Sequence, residues 1–228
     1  MNKLILLHGA LGASEQFIHL KNTLEKNYEI HILDFYGHGQ QDFFSSEFSI
    51  PVFAKQTIEY LDKNKIDRIH IFGYSMGGYV ALYLAKHYPE RVLKIMTLAT
   101  KFNWTPESAA AETKMLNPEI IEAKVPDFAK QLKERHGGEK WKKLLQHTAE
   151  MMMNMGNKNT LSIDEFKSIE HTVLIGLGDR DKMVSFEESH KVFQLIKNSG
   201  FYVLPHTKHP FESVDTKRLA TKITSFIQ

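Results

Sequence analysis

Ile69-His70-Ile71-Phe72-Gly73-Tyr74-Ser75-Met76-Gly77-Gly78-Tyr79-Val80-Ala81-Leu82-Tyr83-Leu84-Ala85 runs from an apolar stretch, through a glycine-rich turn around a serine, into a helical pattern. Read as strand, turn and helix, it sets Ser75 in a small-x-Ser-x-small motif. The G-x-S-x-G nucleophile elbow needs that context, because the turn strains the serine backbone and holds its Oγ up at the end of a sheet. Residues two before and two after the serine must be small, since strand and helix cross there almost in contact. An ordinary glycine-rich turn with a solvated serine has the same letters; the flanking strand and helix favour the nucleophile.

Outward from this turn, short apolar runs alternate with helical patterns. Strands are expected at 3–7, 29–33, 68–72, 92–98, 172–176 and 200–204. They are nearly continuous apolar runs, as in strands covered on both faces. Helices are expected at 14–25, 51–62, 76–87, 185–196 and 211–227. Ser185-Phe186-Glu187-Glu188 reads as a capping box. Repeated β-α alternation implies a parallel sheet with right-handed crossovers. One stretch, 105–159, has no strand candidate. Thr105-Pro106 opens a helix there, and Pro118, Pro126 and Gly137-Gly138 divide the stretch into two or three helices. The expectation is one domain, 1–228, with a helical cap inserted at about 105–159 over the C-terminal edge of the sheet. Trp104, Phe128, Trp141, Leu144, Leu145 and a methionine cluster make the stretch too apolar for a disordered linker.

Composition narrows the function. The chain has 228 residues, 42% apolar and 25% charged, which suits one globular domain with a full core. A net charge of +2 gives no argument for nucleic acid or an anionic membrane. Cysteine is absent, so disulfides, thiolate metal sites and a Cys nucleophile are excluded. No apolar run approaches the ~20 residues of a membrane span, and His8-Gly9 ends the first apolar run too early for a signal peptide. The expected setting is the cytoplasm, with neither membrane nor nucleic acid as partner. No metal, phosphate or dinucleotide motif is present, and no cofactor is expected.

A serine hydroxyl needs a base, and the base needs an orienting carboxylate. In this topology they follow in the order Ser, Asp or Glu, His. After the 172–176 strand comes Leu177-Gly178-Asp179-Arg180-Asp181-Lys182-Met183-Val184. After the 200–204 strand comes Pro205-His206-Thr207-Lys208-His209-Pro210-Phe211-Glu212. Each offers two candidates, Asp179 or Asp181 and His206 or His209. The oxyanion of a tetrahedral intermediate needs two backbone donors. One is expected from Met76, at the start of its helix, and one from the loop after the first strand, His8-Gly9-Ala10-Leu11-Gly12.

These motifs together resemble the α/β-hydrolase fold family, in its small esterase and lyase branch. The resemblance runs from Leu4 to Phe211. It implies a G-x-x-D-x-x-V pattern for the acid, matched by Gly178, Asp181 and Val184. It implies a His in the turn before the last helix, followed by Pro and an acidic residue, matched by His209, Pro210 and Glu212. Asp179 and His206 are the alternatives. An HG-x motif makes Ala10 N–H the second oxyanion donor and gives His8 a role in loop geometry. Asp34-Phe35-Tyr36-Gly37-His38-Gly39 resembles the D-x-x-G-H-G turn, with a structural role. His147 would face the pocket or a solvated helix face. The family commonly carries two strands before the HG strand; with the HG strand of this chain starting at Lys3, a minimal, mostly parallel six-stranded sheet lacking those two, in the order 2-1-3-4-5-6, is expected.

The inserted helices should roof the pocket. Leu11, Trp104, Met115, Met151 and Met152 are the expected lining, with Leu116, Met153 and Met155 nearby and core packing as the alternative for the methionines. The expected function is a serine hydrolase acting on a small to medium carboxylic ester or thioester through an acyl-enzyme, with that small molecule as its partner. Two alternatives stand beside it. One is a lyase or carbon–carbon bond hydrolase of the menaquinone-pathway type, which resembles G-x-S-x-G-G-R where this chain has Tyr79. The other is a slow-turnover ligand receptor on the same fold.

Overall fold

A computed structural model of the chain describes residues 1–43 and 47–228. In chain order the elements are β1 (Asn2–Leu7), α1 (Ile18–Leu24), β2 (Tyr28–Leu33), α2 (Ile50–Lys63), β3 (Ile69–Tyr74), α3 (Met76–His87) and β4 (Val92–Leu98). Then come α4 (Pro106–Thr113), α5 (Pro118–Lys124), α6 (Pro126–His136), α7 (Lys140–Asn157) and α8 (Ile163–Lys167). β5 (Val173–Gly178), α9 (Phe186–Leu195), β6 (Ser199–Leu204) and α10 (Thr216–Ile227) complete the chain. Among the described residues the strands form one sheet in the order β2-β1-β3-β4-β5-β6, with neighbouring strands parallel. The expected order is therefore present. Because all strands run the same way, the loops after them gather at one edge.

Strand periodicity sorts side chains between two cores. Leu4 and Leu6 of β1 pack with Leu20 and Leu24 of α1 and with Leu219, Ile223 and Ile227 of α10. Ile5 and Leu7 face the other way, toward Phe53 and Leu61 of α2, Val80 and Leu84 of α3 and Val192 of α9. Each fully buried Leu or Phe side chain contributes roughly 1.5–3 kcal/mol. The inner strands are buried on both faces, as their apolar runs predict. The edges differ: β2 exposes Glu29, and β6 leaves Val203 43% exposed.

Several boundaries depart from expectation. β3 and β5 run two residues further, to Tyr74 and Gly178, because neighbouring strands supply the ladder there: Tyr74 pairs with Leu98, and Gly178 with Leu204. The first helix begins as a 3-10 turn, Ser14–Phe17. The last is split into a 3-10 turn, Phe211–Ser213, and α10, which opens where Asp215 accepts the N–H groups of Lys217 and Arg218. The stretch 105–159 forms four helices, α4 to α7, where two or three were expected, because each anticipated break yields one. Thr105 caps α4, Asn117 caps α5, and Gly137, at φ 82°, ends α6. One face of α7 buries Trp141 and Leu145 with Ile121, Ala129 and Leu132 of α5 and α6. Another places Leu144, Met151 and Met155 in the core beside α3. No helix among the described residues is long and apolar enough to cross a membrane.

Candidate active site

Ser75 stands between β3 and α3 with φ 50° and ψ −119°, a conformation that costs on the order of 1–3 kcal/mol for a residue with a side chain. Its surroundings hold it there. Ser75 N–H donates to the Leu98 carbonyl at 2.9 Å, and the Ser75 carbonyl accepts from Thr100 Oγ1 at 3.1 Å and from Gly78 N–H at 2.9 Å. The glycines leave the space this requires. A Cβ on Gly73 would collide with the backbone of Gly77 and Gly78, and one on Gly77 with the Leu7 carbonyl.

The loops after β5 and β6 bring one of each candidate pair to Ser75. His209 Nε2 lies 3.5 Å from Ser75 Oγ, and His209 Nδ1 donates to Asp181 Oδ2 at 2.8 Å. The Asp181 side chain is fully buried and that of His209 is 14% exposed. Asp181 Oδ1 accepts from the N–H groups of Met183 and Val184, at 2.8 and 2.9 Å, so the turn fixes the carboxylate. Tyr74 Oη donates to the His209 carbonyl at 2.6 Å, anchoring the histidine backbone to the strand that carries the serine. Burial raises the Tyr74 phenol, which stays protonated to donate.

Asp179 and His206 sit elsewhere. Asp179 Oδ1 accepts from Thr207 N–H at 3.0 Å. The backbone N–H groups of His206 and Thr207 hold its carboxyl below the usual range. Asp179 therefore ties the β5 loop to the β6 loop. His206 takes the left-handed φ of 55° in that turn and accepts from Arg180.

The loop after β1 is held from beneath by buried histidines. His8 Nδ1 donates to the Gly9 carbonyl at 2.7 Å, and His8 Nε2 accepts from Phe35 N–H at 3.1 Å. His136, at the end of α6, accepts Gly39 N–H on Nδ1 at 2.9 Å and donates from Nε2 to the Leu11 carbonyl at 3.0 Å. Burial pushes both imidazoles down to about 4. His38 lies between them, its ring centroid 4.9 Å from His8 and 5.9 Å from His136, and burial holds it well below the ordinary value. Arg135, beside His136, donates to Glu15 at 2.8 Å, to the Leu11 carbonyl at 3.2 Å and to Glu212 at 3.1 Å. The D-x-x-G-H-G turn belongs to the same support: Asp34 accepts Ser14 N–H, and a Cβ on Gly39 would strike the Asp34 carboxylate. His147 is neither in the slot beside Ser75 nor on a solvated face. It is 7% exposed, with its ring 5.2 Å from those of Phe43 and Phe48.

A slot with about 350 Å³ of empty space opens beside Ser75, lined by Ala10, Ile50, Met76, Tyr79, Lys101, Trp104, Met151, Met152 and Met155. That volume includes space open to solvent, and the part that admits the centre of a water-sized sphere is about 40 Å³. Ala10 and Met76 both border it, and Met76 is the first residue of α3, where the N–H has no intrahelical acceptor. Of the expected lining, Trp104, Met151 and Met152 are present. Met115 is not: it is 72% exposed on the 3-10 turn Lys114–Leu116. Leu11 also lies outside the lining: its carbonyl accepts from Arg135 and His136 of α6, and its side chain packs with both the Ile121 and Trp141 cluster and the main core. Ile50, Tyr79 and Lys101 were not anticipated as lining. Lys101 carried a readable signal, being three residues past the end of β4 on the loop-bearing edge. Arg135 and His136 carried none, as their contact with Leu11 spans 124 and 125 residues of sequence.

Residues 2–163 match the alpha/beta hydrolase fold family, and the chain belongs to it. Among curated proteins it is similar to a pimeloyl-[acyl-carrier protein] methyl ester esterase of Vibrio vulnificus, 30% identical over 132 residues, covering 58% of this chain and 47% of that protein. The matched region spans about half the length of that relative. Among solved structures it is similar to a meta-cleavage product hydrolase from Pseudomonas fluorescens IP01, with TM-score 0.84 and 19% identity over 100% of this chain and 90% of that one. It is also similar to MenH from S. aureus, with TM-score 0.78 and 21% identity over 99% and 93%.

Proposed function

We propose that this chain is a serine hydrolase that cleaves a small to medium carboxylic ester or thioester through an acyl-enzyme. One observation carries the reading: the row Ser75, His209, Asp181, with 3.5 and 2.8 Å between successive partners. Ser75 Oγ attacks the carbonyl carbon as its proton passes to His209 Nε2. Asp181 keeps His209 Nδ1 protonated and steadies the imidazolium. The oxygen that becomes anionic is received by the N–H groups of Ala10 and Met76. Collapse breaks the C–O or C–S bond, and His209 hands its proton to the leaving alcohol or thiol. Water then attacks the acyl carbon, His209 takes its proton, and Ser75 recovers that proton as the carboxylic acid departs. Such hydrogen bonds tighten when substrate arrives, which accommodates the 3.5 Å separation.

A slot lined mostly by methionine, isoleucine and tryptophan side chains supports an ester over the lyase alternative. Where the resemblance to that lyase calls for an arginine, the slot has Tyr79, whose hydroxyl accepts Leu161 N–H at 3.1 Å and whose pKa burial pushes up to about 12. Stoichiometric labelling by a fluorophosphonate probe, lost in Ser75→Ala, together with a fall of roughly 10⁴-fold or more in ester turnover, is the expected result. Absence of labelling in the folded protein, with Ser75→Ala turning over esters as the parent does, overturns the reading.

A further inference from the structure

Among the residues lining the slot, Lys101 is the one with a formal charge. Its backbone is adjacent to Thr100, whose hydroxyl donates to the Ser75 carbonyl at 3.1 Å. Its side chain is 16% exposed, so most of its length is covered by neighbouring groups. What it receives in return is meagre. The Met183 carbonyl accepts from Nζ at 3.3 Å, the Glu112 carboxylate stands at 3.8 Å, and the Trp104 ring centroid at 5.6 Å. An ammonium has three donors, and here one close acceptor faces them. The other slot residues, Ile50, Met151, Met152, Met155 and Trp104, give a neutral ester all it needs, and a methionine of similar length would serve as well at 101.

We infer that Lys101 is a specificity determinant that binds an anionic group, a carboxylate, carried by the ester itself a few bonds from the scissile carbonyl. The inference rests on the serine hydrolase reading and names its substrate class. A carboxylate in the slot supplies the acceptors Lys101 lacks, through charge-assisted hydrogen bonds. The pairing is stronger than in water because methionine and tryptophan side chains exclude solvent around it. The carboxylate can sit on the acyl or the alcohol side, and the chemistry at Nζ is the same.

The test uses matched esters on the intact chain. For the acyl side the pair is 4-nitrophenyl hydrogen glutarate and 4-nitrophenyl pentanoate. For the alcohol side it is 4-(butanoyloxy)benzoate and its methyl ester. Each kcat/KM is divided by the rate of hydroxide hydrolysis of the same ester. The parent chain should prefer the charged member of at least one pair by tenfold or more. Lys101→Met should bring that ratio near one, Lys101→Arg should keep most of it, and Lys101→Glu should invert it. A ratio taken on one preparation does not depend on how much of a variant folds. A strut joining the β4 end to α4 would change both members alike and leave the ratio where it was, and that result overturns the inference. So does a parent chain with no preference in either pair, provided the neutral esters are turned over and Ser75→Ala abolishes this; the hydrolase reading then survives. Failure of all four esters to be turned over, with no Ser75 labelling, overturns both.

Discussion

His209 and the pair His8 and His136 are the same residue type under opposite conditions. His209 lies in a turn at the sheet edge, with one ring nitrogen on a buried carboxylate and the other facing a serine hydroxyl across 3.5 Å. His8 and His136 are buried, and every ring nitrogen is committed to a backbone N–H or carbonyl. The first arrangement leaves a proton free to move between side chains. The second spends both nitrogens on holding a loop, and burial fixes the neutral form. A histidine's capacity for proton transfer is thus decided by what its nitrogens have left to do.

The largest effect should come from His209 itself. His209→Ala should lower ester kcat/KM by roughly 10⁴-fold, with Tm little altered, because its loop is anchored through the backbone to Tyr74. A loss under tenfold would break the contrast. Next, Asp181→Asn removes the acceptor that keeps Nδ1 protonated and should cost roughly 10²–10⁴-fold in kcat. Asp179→Asn sharpens the point, since Asp179 ties two loops and touches neither Ser75 nor His209. It should lower Tm slightly and leave kcat within a few-fold. Equal kinetic losses in the two variants would reassign the acid.

The buried pair should show itself in stability against pH. Histidines with folded pKa values near 4 bind fewer protons in the fold than in the unfolded chain between about pH 4 and 6.5. Stability is therefore complete above pH 6.5 and falls as pH drops toward 4. His8 and His136 should together account for a loss on the order of a few kcal/mol by pH 4.5. His136→Leu strands the buried Gly39 N–H, a cost of about 1–3 kcal/mol at pH 7.5. The gap between variant and parent should then narrow as pH falls, because the variant no longer carries that titration. Thermal melts at pH 7.5 and 4.5 measure it, and a gap constant with pH would remove His136 from the acid response.

The sheet was legible because its strands announce themselves: Leu4 to Leu7 or Ile69 to Phe72 can be buried on both faces and in few other ways. The elbow was legible because its geometry tolerates so few residue types. Asp181 and His209 were legible as positions after strands, while the choice over Asp179 and His206 rested on spacing likeness. The slot was less so. Met115 and Met151 look alike in sequence, and only the three-dimensional course of α4 to α7 turns one outward and the other toward Ser75. His136 and Arg135 were hidden for a related reason: a helix-terminal His and Arg read locally as favourable charges at the end of a helix dipole, and nothing nearby names Leu11 as their partner.

Arg135 has a consequence for how this molecule could be altered. Its guanidinium reaches from α6 to Glu15, to the Leu11 carbonyl and to Glu212, three residues beyond His209. Helices α4 to α7 can be pictured as a module set on the sheet and its loops. Here one side chain of the module is part of the platform's own framing, holding the loop with Ala10 and the loop with His209 in common register. A graft that replaces the helices but loses the guanidinium at that point would keep every residue of the row Ser75, His209, Asp181 and still hand it a differently set pair of loops.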